Sequence, residues 1–255
     1  MVSVVILSYD PKPVILEQLA AQTHKDHEVI VAREPGIVRA MNIALKKAKG
    51  DIFVRIDDDV ELPINWLEEL VKPFKDPKVA GATGPTFVPA SLRKNRDSIR
   101  IANNPNWFLR WMFDNDPFAP AKIYKCGSVS YGSNYLDKMT RGVTECDHLE
   151  GTNWAMRTQL SRDVGGFNES YDGVCEWYDT DVEQKILKKG YKLAFNEYAY
   201  LWHLLEVGAS FDERFDTWSR IENWLRFHWR HSDFHYKKII WFFMLIGYAL
   251  CPKSR

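Results

Sequence analysis

The first third of the chain alternates apolar runs of strand length with amphipathic runs of helix length, and that alternation leaves few folds open. Strands are expected over residues 2–8, 28–32, 51–56 and 79–84, with helices over 14–21, 37–48 and 63–74 between them. In the second helix Ile37, Ala40, Met41, Ala44, Leu45 and Ala48 form one apolar stripe, and Gly50 ends it. Strands alternating with helices of this length imply an α/β fold: a Rossmann-like, mostly parallel sheet flanked by helices and joined by right-handed crossovers. Such sheets bind ligands beyond the carboxyl ends of their strands, where Ser8, Tyr9, Arg33, Glu34, Asp57 and Asp59 all fall.

The third strand runs straight into three carboxylates, Asp57, Asp58 and Asp59. Side chains alternate along a strand, so Asp57 and Asp59 should point one way and Asp58 the other. A hard divalent cation such as Mg²⁺ or Mn²⁺ takes oxygen ligands and keeps positions open for phosphate oxygens. Taken alone, the triplet is equally a solvated acidic loop in which Asp58 or Glu61 caps the next helix.

At 255 residues with 45% apolar content the chain can bury a full core. Its formal net charge of zero gives no global case for nucleic-acid binding. Cys126, Cys146, Cys175 and Cys251 are widely spaced, with no CxxC and no HExxH, so a reduced, cytoplasmic setting is expected. The N-terminus enters its first strand without a basic leader, so no signal peptide is expected.

From 89 to 146 the pattern loosens into Pro-, Asn- and Gly-rich sequence, with a basic stretch (Arg93, Lys94, Arg96, Arg100) and an aromatic one (Trp107, Phe108, Trp111, Phe113). This reads as an irregular excursion covering the sheet. Order returns with HLEGTNWAMR, VGGFNESYDG and EWYDTDVEQKILKKGYKLAFNEYAYLWH, where Asp179 opens a helix that Gly190 ends.

The order SVVILSYD, GIVRAMNIALKKAKGD, IDDDVELP, GTNWAMR, GGFNE, YDTD, GYKL and a closing histidine resembles the inverting glycosyltransferases of family 2, which have the GT-A fold. The resemblance covers roughly residues 2–203. It implies a GT-A domain over 1–210, with a nucleotide-binding half to about 88 and an acceptor half beyond, followed by a helical segment over 211–255. It implies that Asp57 and Asp59 are a DxD pair, Asp57 facing ribose and metal and Asp59 binding the Mn²⁺ or Mg²⁺ that holds the donor diphosphate. Asp179 would be the general base, and His203 would complete the metal site. Ser8, Tyr9, Glu34, Asn42, Asp57 and Asp58 would bind the nucleotide-sugar donor, a UDP-sugar by this reading. Read without the resemblance, Asp179 is a helix N-cap, with Thr180 and Asp181 as rivals, and His203 is as much a core histidine as a ligand.

Three departures stand out. The family's acidic pair and extra βα unit after the second strand are missing, which leaves Glu34 as the one candidate for base recognition. Met41 stands where many members have arginine, and Tyr178 replaces the glutamate before the base. That last change removes a charge beside Asp179 and should lower its pKa relative to members that keep the pair.

After Lys237 and Lys238 comes the apolar run 239–251. As a helix its 13 residues would span about 20 Å against roughly 30 Å of bilayer core, too short to cross. It reads either as an interfacial helix at the inner membrane face, bringing the site to a lipid-linked or polysaccharide acceptor, or as packing against the core or a homodimer partner. Two other functions fit the sequence less well. A nucleotidyltransferase lacks support because LSYDPKP stands where a Gly-rich, Arg-containing loop would be, and a silent sugar-nucleotide binder would be expected to lose the carboxylates that are present here.

Overall fold

A computed structural model describes residues 1–10, 13–93, 107–130, 132–134, 136–171, 173–205 and 216–250. Lys94, Arg96 and Arg100 of the basic stretch lie outside these residues, as do Pro11, Lys12, Asp172 and Cys251. In chain order the elements are β1 (Val2–Leu7), α1 (Ile15–Ala21), β2 (His27–Ala32), α2 (Ile37–Lys47), β3 (Ile52–Asp57), β4 (Val60–Glu61), α3 (Trp66–Val71), β5 (Val79–Thr83) and β6 (Thr86–Phe87). There follow α4 (Ala90–Arg93), α5 (Trp107–Met112), β7 (Val143–Cys146), β8 (Asn153–Arg157), α6 (Thr158–Asp163), α7 (Tyr178–Leu187), β9 (Lys192–Asn196), β10 (Leu201–His203), α8 (Thr217–His231) and α9 (Tyr236–Leu250). The helix expected over 63–74 is divided: α3 gives way to a 3₁₀ turn, Lys72–Lys75, at Pro73, whose ring cannot sit inside an α-helix.

The large sheet has the order β2-β1-β3-β8-β5-β9-β7. Strand β1 pairs in parallel with β2 and β3, and Leu7 lies opposite both Ala32 and Asp57, so three strands end in one row. A plain βα repeat would have set β5 beside β3. Instead β8, from the GTNWAMR segment, is inserted antiparallel between them. Five of the seven strands still share a direction, with β7 and β8 opposed.

Both faces of the sheet are covered. Val4, Ile6, Val54 and Ile56 pack with Ile15 and Leu19 of α1 and Trp66, Leu67 and Leu70 of α3. On the other face Val5 and Phe53 pack with Met41 and Leu45 of α2, Val182 and Ile186 of α7, and Phe227 of α8. Strand β3 is therefore buried on both faces, and its alternation sends Phe53, Arg55 and Asp57 toward the α7 side.

The C-terminal helices close over that side. Asp216 caps α8 by accepting from Trp218 N and Ser219 N, each at 3.1 Å. In α9, Ile240 and Trp241 pack on Met112, Phe113, Tyr124 and Cys126. Lys237 is buried and donates to Asp114 Oδ1 at 3.1 Å and to Trp111 O. The basic border read from Lys237 and Lys238 is thus turned inward at Lys237, whose charge is already matched. The opposite face of α9, with Ile239, Phe243, Met244, Tyr248 and Leu250, is exposed.

Candidate active site

The small sheet β4-β10-β6 builds a candidate metal-ligating group. Val60 and Glu61 pair antiparallel with His203 and Trp202, and Leu204 N donates to Asp59 O at 2.8 Å, so backbone pairing clamps the last core strand onto the acidic turn. The result brings Asp57, Asp59 and His203 together, with one ligand atom from each lying within 4.8 Å of the others. His203 Nε2 stands 3.2 Å from Asp59 Oδ1 and 3.9 Å from Asp57 Oδ2. Buried and without a hydrogen-bond partner, that nitrogen is the kind of orphan that a cation satisfies. Two carboxylates and one imidazole fit Mn²⁺ or Mg²⁺.

Asp57 is fixed from behind. Arg55 Nη2 donates to its Oδ1 at 2.5 Å and Thr152 Oγ1 to its Oδ2 at 3.0 Å. Such outer contacts orient a metal-binding carboxylate and set its charge. Burial works against the Arg55 guanidinium, but Asp57, Asp179 and Asp59 outweigh it and hold its pKa up. Sequence reasoning missed Arg55, although the period-two run Arg55, Asp57, Asp59 placed all three on one side.

Asp58 points the other way, as alternation requires, and accepts a hydrogen bond from Ser8. Burial, above all, raises its pKa, and its acidic neighbours add to the effect. Ser8 also accepts from Asp10 N at 3.0 Å, and Tyr9 beside it is exposed. Glu34 stands just past β2 on the same row, bonded to Arg33 N at 3.1 Å and to Lys47 Nζ at 3.4 Å. Asn42 is not brought to this row. Its Nδ2 donates to Phe167 O at 2.8 Å and Glu169 Oε1 at 3.0 Å, and its Oδ1 accepts from Phe167 N at 2.9 Å, so it pins α2 to the GGFNE turn.

Asp179 lies in the first turn of α7 and is buried. The N-cap is Trp177, not Asp179, and no side chain caps the helix. Asp179 Oδ1 instead accepts from Thr180 N at 2.9 Å, one of the helix's own unpaired amides. Burial raises its pKa, against the pull of Arg55 and of the Thr180 bonds. Trp177 holds φ +75°, a conformation that costs a non-glycine residue of order 1 kcal/mol or more, and stacks on Phe227 of α8 at 4.4 Å. The C-terminal helix thereby steadies the turn that presents Asp179. Asp181, one rival, is occupied elsewhere, by His231 at 2.7 Å, Lys185 at 2.6 Å and Tyr171 at 3.2 Å.

Asp57, His203, Arg55 and Asp179 line one cleft of about 610 Å³, whose far wall includes Trp241 and Leu245 of α9. A mostly parallel sheet with an acidic turn at its switch point and a carboxylate across the cleft defines a GT-A glycosyltransferase. Residues 7–132 match the family model described as Glycosyl transferase family 2. Among solved structures the chain is similar to the mannosyltransferase PcManGT from Pyrobaculum calidifontis, in complex with GDP-Man and Mn²⁺. The identity there is 17% and the TM-score 0.55, over 97% of this chain and 68% of that one. It is also similar to GalNAc-T7 with UDP, GalNAc and Mn²⁺, at 16% identity and a TM-score of 0.54 over 89% of this chain and 47% of that one. At these identities the likeness is one of fold. No curated protein sequence matches the chain.

Proposed function

We propose that this glycosyltransferase is divalent-metal-dependent and inverting, moving a hexosyl group from a nucleoside-diphosphate sugar to a hydroxyl of a lipid-linked acceptor. The observation that carries the reading is the meeting, in one cleft, of Asp57 and His203, two of the three residues of the Asp57, Asp59 and His203 group, with the buried carboxylate of Asp179. A cation held by that group would neutralise charge developing on the departing diphosphate. Arg55 and Thr152 hold the Asp57 carboxylate in place, so little reorganisation is needed as the donor binds.

Asp179 accepts the acceptor hydroxyl's proton as the new bond to the anomeric carbon forms and the bond to the diphosphate breaks. Its raised pKa makes it a stronger base than a solvated aspartate. A single carboxylate working opposite the leaving group gives one displacement and inversion, whereas retention would need a second, nucleophilic group. The donors carried by the two fold neighbours make GDP- and UDP-sugars the first to test.

The lipid-linked acceptor is inferred from α9. On one side α9 carries Trp241 and Leu245 of the cleft wall and on the other its exposed apolar face, and its 15 residues span about 22 Å. Among the described residues no helix is long and apolar enough to cross a membrane, so the face suits a helix lying on a bilayer. Incubation with GDP- and UDP-sugars, Mn²⁺ and alkyl-glycoside or lipid-linked acceptors, followed by NMR of the product's anomeric carbon, tests the reading. Transfer with inversion, lost in chelator and in Asp179→Asn, is expected; retained configuration or chelator-resistant transfer would refute it.

A further inference from the structure

Among the described residues, six that line the cleft carry a buried polar atom without a hydrogen-bond partner: Arg55 Nε, Thr86 Oγ1, His148 Nε2, Glu150 Oε1, Tyr178 OH and His203 Nε2. Unpartnered buried polar atoms are costly and few in native proteins, so a concentration of them in one cleft points to a ligand that completes them. The metal group accounts for His203, and Arg55 belongs to the support of Asp57. Glu150 and His148 have no part in either.

Their place in the fold is specific. Thr152 Oγ1 donates to Asp57 Oδ2 at 3.0 Å, and Leu149 N donates to Glu183 Oε2 at 3.1 Å, one helical turn beyond Asp179. The segment 148–152 is therefore strung between the metal-ligating group and the helix of the base, with Glu150 in the middle. In a single displacement the transferred sugar lies in that interval, between leaving group and base. The backbone of Glu150 is satisfied, its N–H by Thr83 Oγ1 at 3.0 Å and its C=O by Asn153 N at 2.9 Å, while its carboxyl is left over. Gly132, at φ +58°, packs so closely on this carboxyl that a Cβ there would fall 2.2 Å from Glu150 Oε1.

We propose that Glu150 and His148 form the subsite that grips the hydroxyls of the donor's transferred sugar. His148 Nδ1 is 2.9 Å from the carbonyl oxygen of Leu149, which can only accept, so the hydrogen sits on Nδ1 and Nε2 offers a lone pair to a sugar O–H. Burial favours the neutral ring, moving its pKa down to about 4, and moves Glu150 up to about 7, so the carboxyl can donate as well as accept near neutrality. A carboxyl beside a lone-pair nitrogen disfavours phosphate. Nor do the pair belong to a metal cluster: among the described residues the group of three or more such ligands is Asp57, Asp59 and His203.

The inference rests on the glycosyltransferase reading, and the test keeps the two apart. Calorimetry with Mn²⁺ compares GDP with GDP-mannose, and UDP with UDP-glucose and UDP-N-acetylgalactosamine, on the wild-type chain, Glu150→Gln and His148→Phe, with thermal melts to check folding. Each variant should lose on the order of tenfold in affinity for the nucleotide sugar that the wild type prefers, and less than about twofold for the bare nucleoside diphosphate. Sugar affinity of the wild type should also change with pH around 7, and that dependence should disappear in Glu150→Gln. Equal losses for sugar and diphosphate, no loss for either, or a loss seen only in acceptor KM would overturn the subsite. Should the wild type bind diphosphates but no nucleotide sugar, the glycosyltransferase reading fails first and takes the subsite with it.

Discussion

Arg55 and Asp57 sit two residues apart on β3, side by side on the face turned to α7, and the guanidinium meets the carboxylate at 2.5 Å. Their side chains are 11% and 13% exposed, so water screens the pair little. The arginine is the near counter-charge for a site holding Asp57, Asp59 and Asp179.

Removing it should therefore cost stability as well as activity. Arg55→Met leaves buried carboxylates without their cation, and a loss of about 3–5 kcal/mol is expected from urea melts of the metal-free protein. Mn²⁺ should restore part of that loss by supplying positive charge at the same place. A variant as stable as the wild type in chelator would mean that the arginine is not the group balancing the site.

Asp179→Asn separates binding from chemistry. Donor affinity should stay within a few fold while turnover falls on the order of 10²-fold or more. In the wild type the base must be ionised, so kcat/KM should rise with pH through the pKa of Asp179, which burial sets above the ordinary aspartate value of 3.8. That acid limb should vanish in the asparagine variant; full turnover there would move the role to Glu176.

The buried link between α7 and α8 predicts a different pH response. Burial works to raise the pKa of Asp181, but His231 and Lys185 outweigh it and hold it down at about 2. A carboxyl with a depressed folded pKa stabilises the protein above its unfolded value of about 3.8, and that contribution is lost as pH falls toward 2. It amounts to about 2 kcal/mol. Asp181→Asn should lower stability at pH 6 and flatten its decline between pH 4 and pH 2, as read by urea melts.

How much of this was legible depended on distance along the chain. The βα alternation, the outward and inward turns of Asp57, Asp58 and Asp59, and the stop at Gly190 are local and follow from side-chain period and turn chemistry. Asn42 could not be read, because its partner Phe167 lies 125 residues away. The same holds for Lys237, whose partner Asp114 is 123 residues distant and removes it from the surface. Insertion of β8 between β3 and β5 is likewise a non-local pairing that no local pattern in GTNWAMR signals. Arg55 was within reach, since period two alone sets it beside Asp57.

The exposed face of α9 should bind bilayers mainly through its apolar side chains, because Lys237 is already paired with Asp114. Phe243→Glu with Leu250→Glu should release the protein from liposomes without lowering its melting temperature, whereas truncation after Tyr236 should destabilise it by removing Lys237, Ile240 and Trp241 from their packing. Absence of liposome binding in the wild type, with a dimer that the double substitution dissociates, would make the face an interface between two copies.

If Asp57, Asp59 and His203 hold the cation through which the donor diphosphate binds, calorimetric titration of GDP or UDP with and without Mn²⁺ will show it. Binding by the wild type should require the metal and should be lost in Asp59→Ala, while the melting temperature of the metal-free variant matches that of the metal-free wild type. Undiminished affinity in chelator, or in the Asp59→Ala variant with metal present, would contradict it.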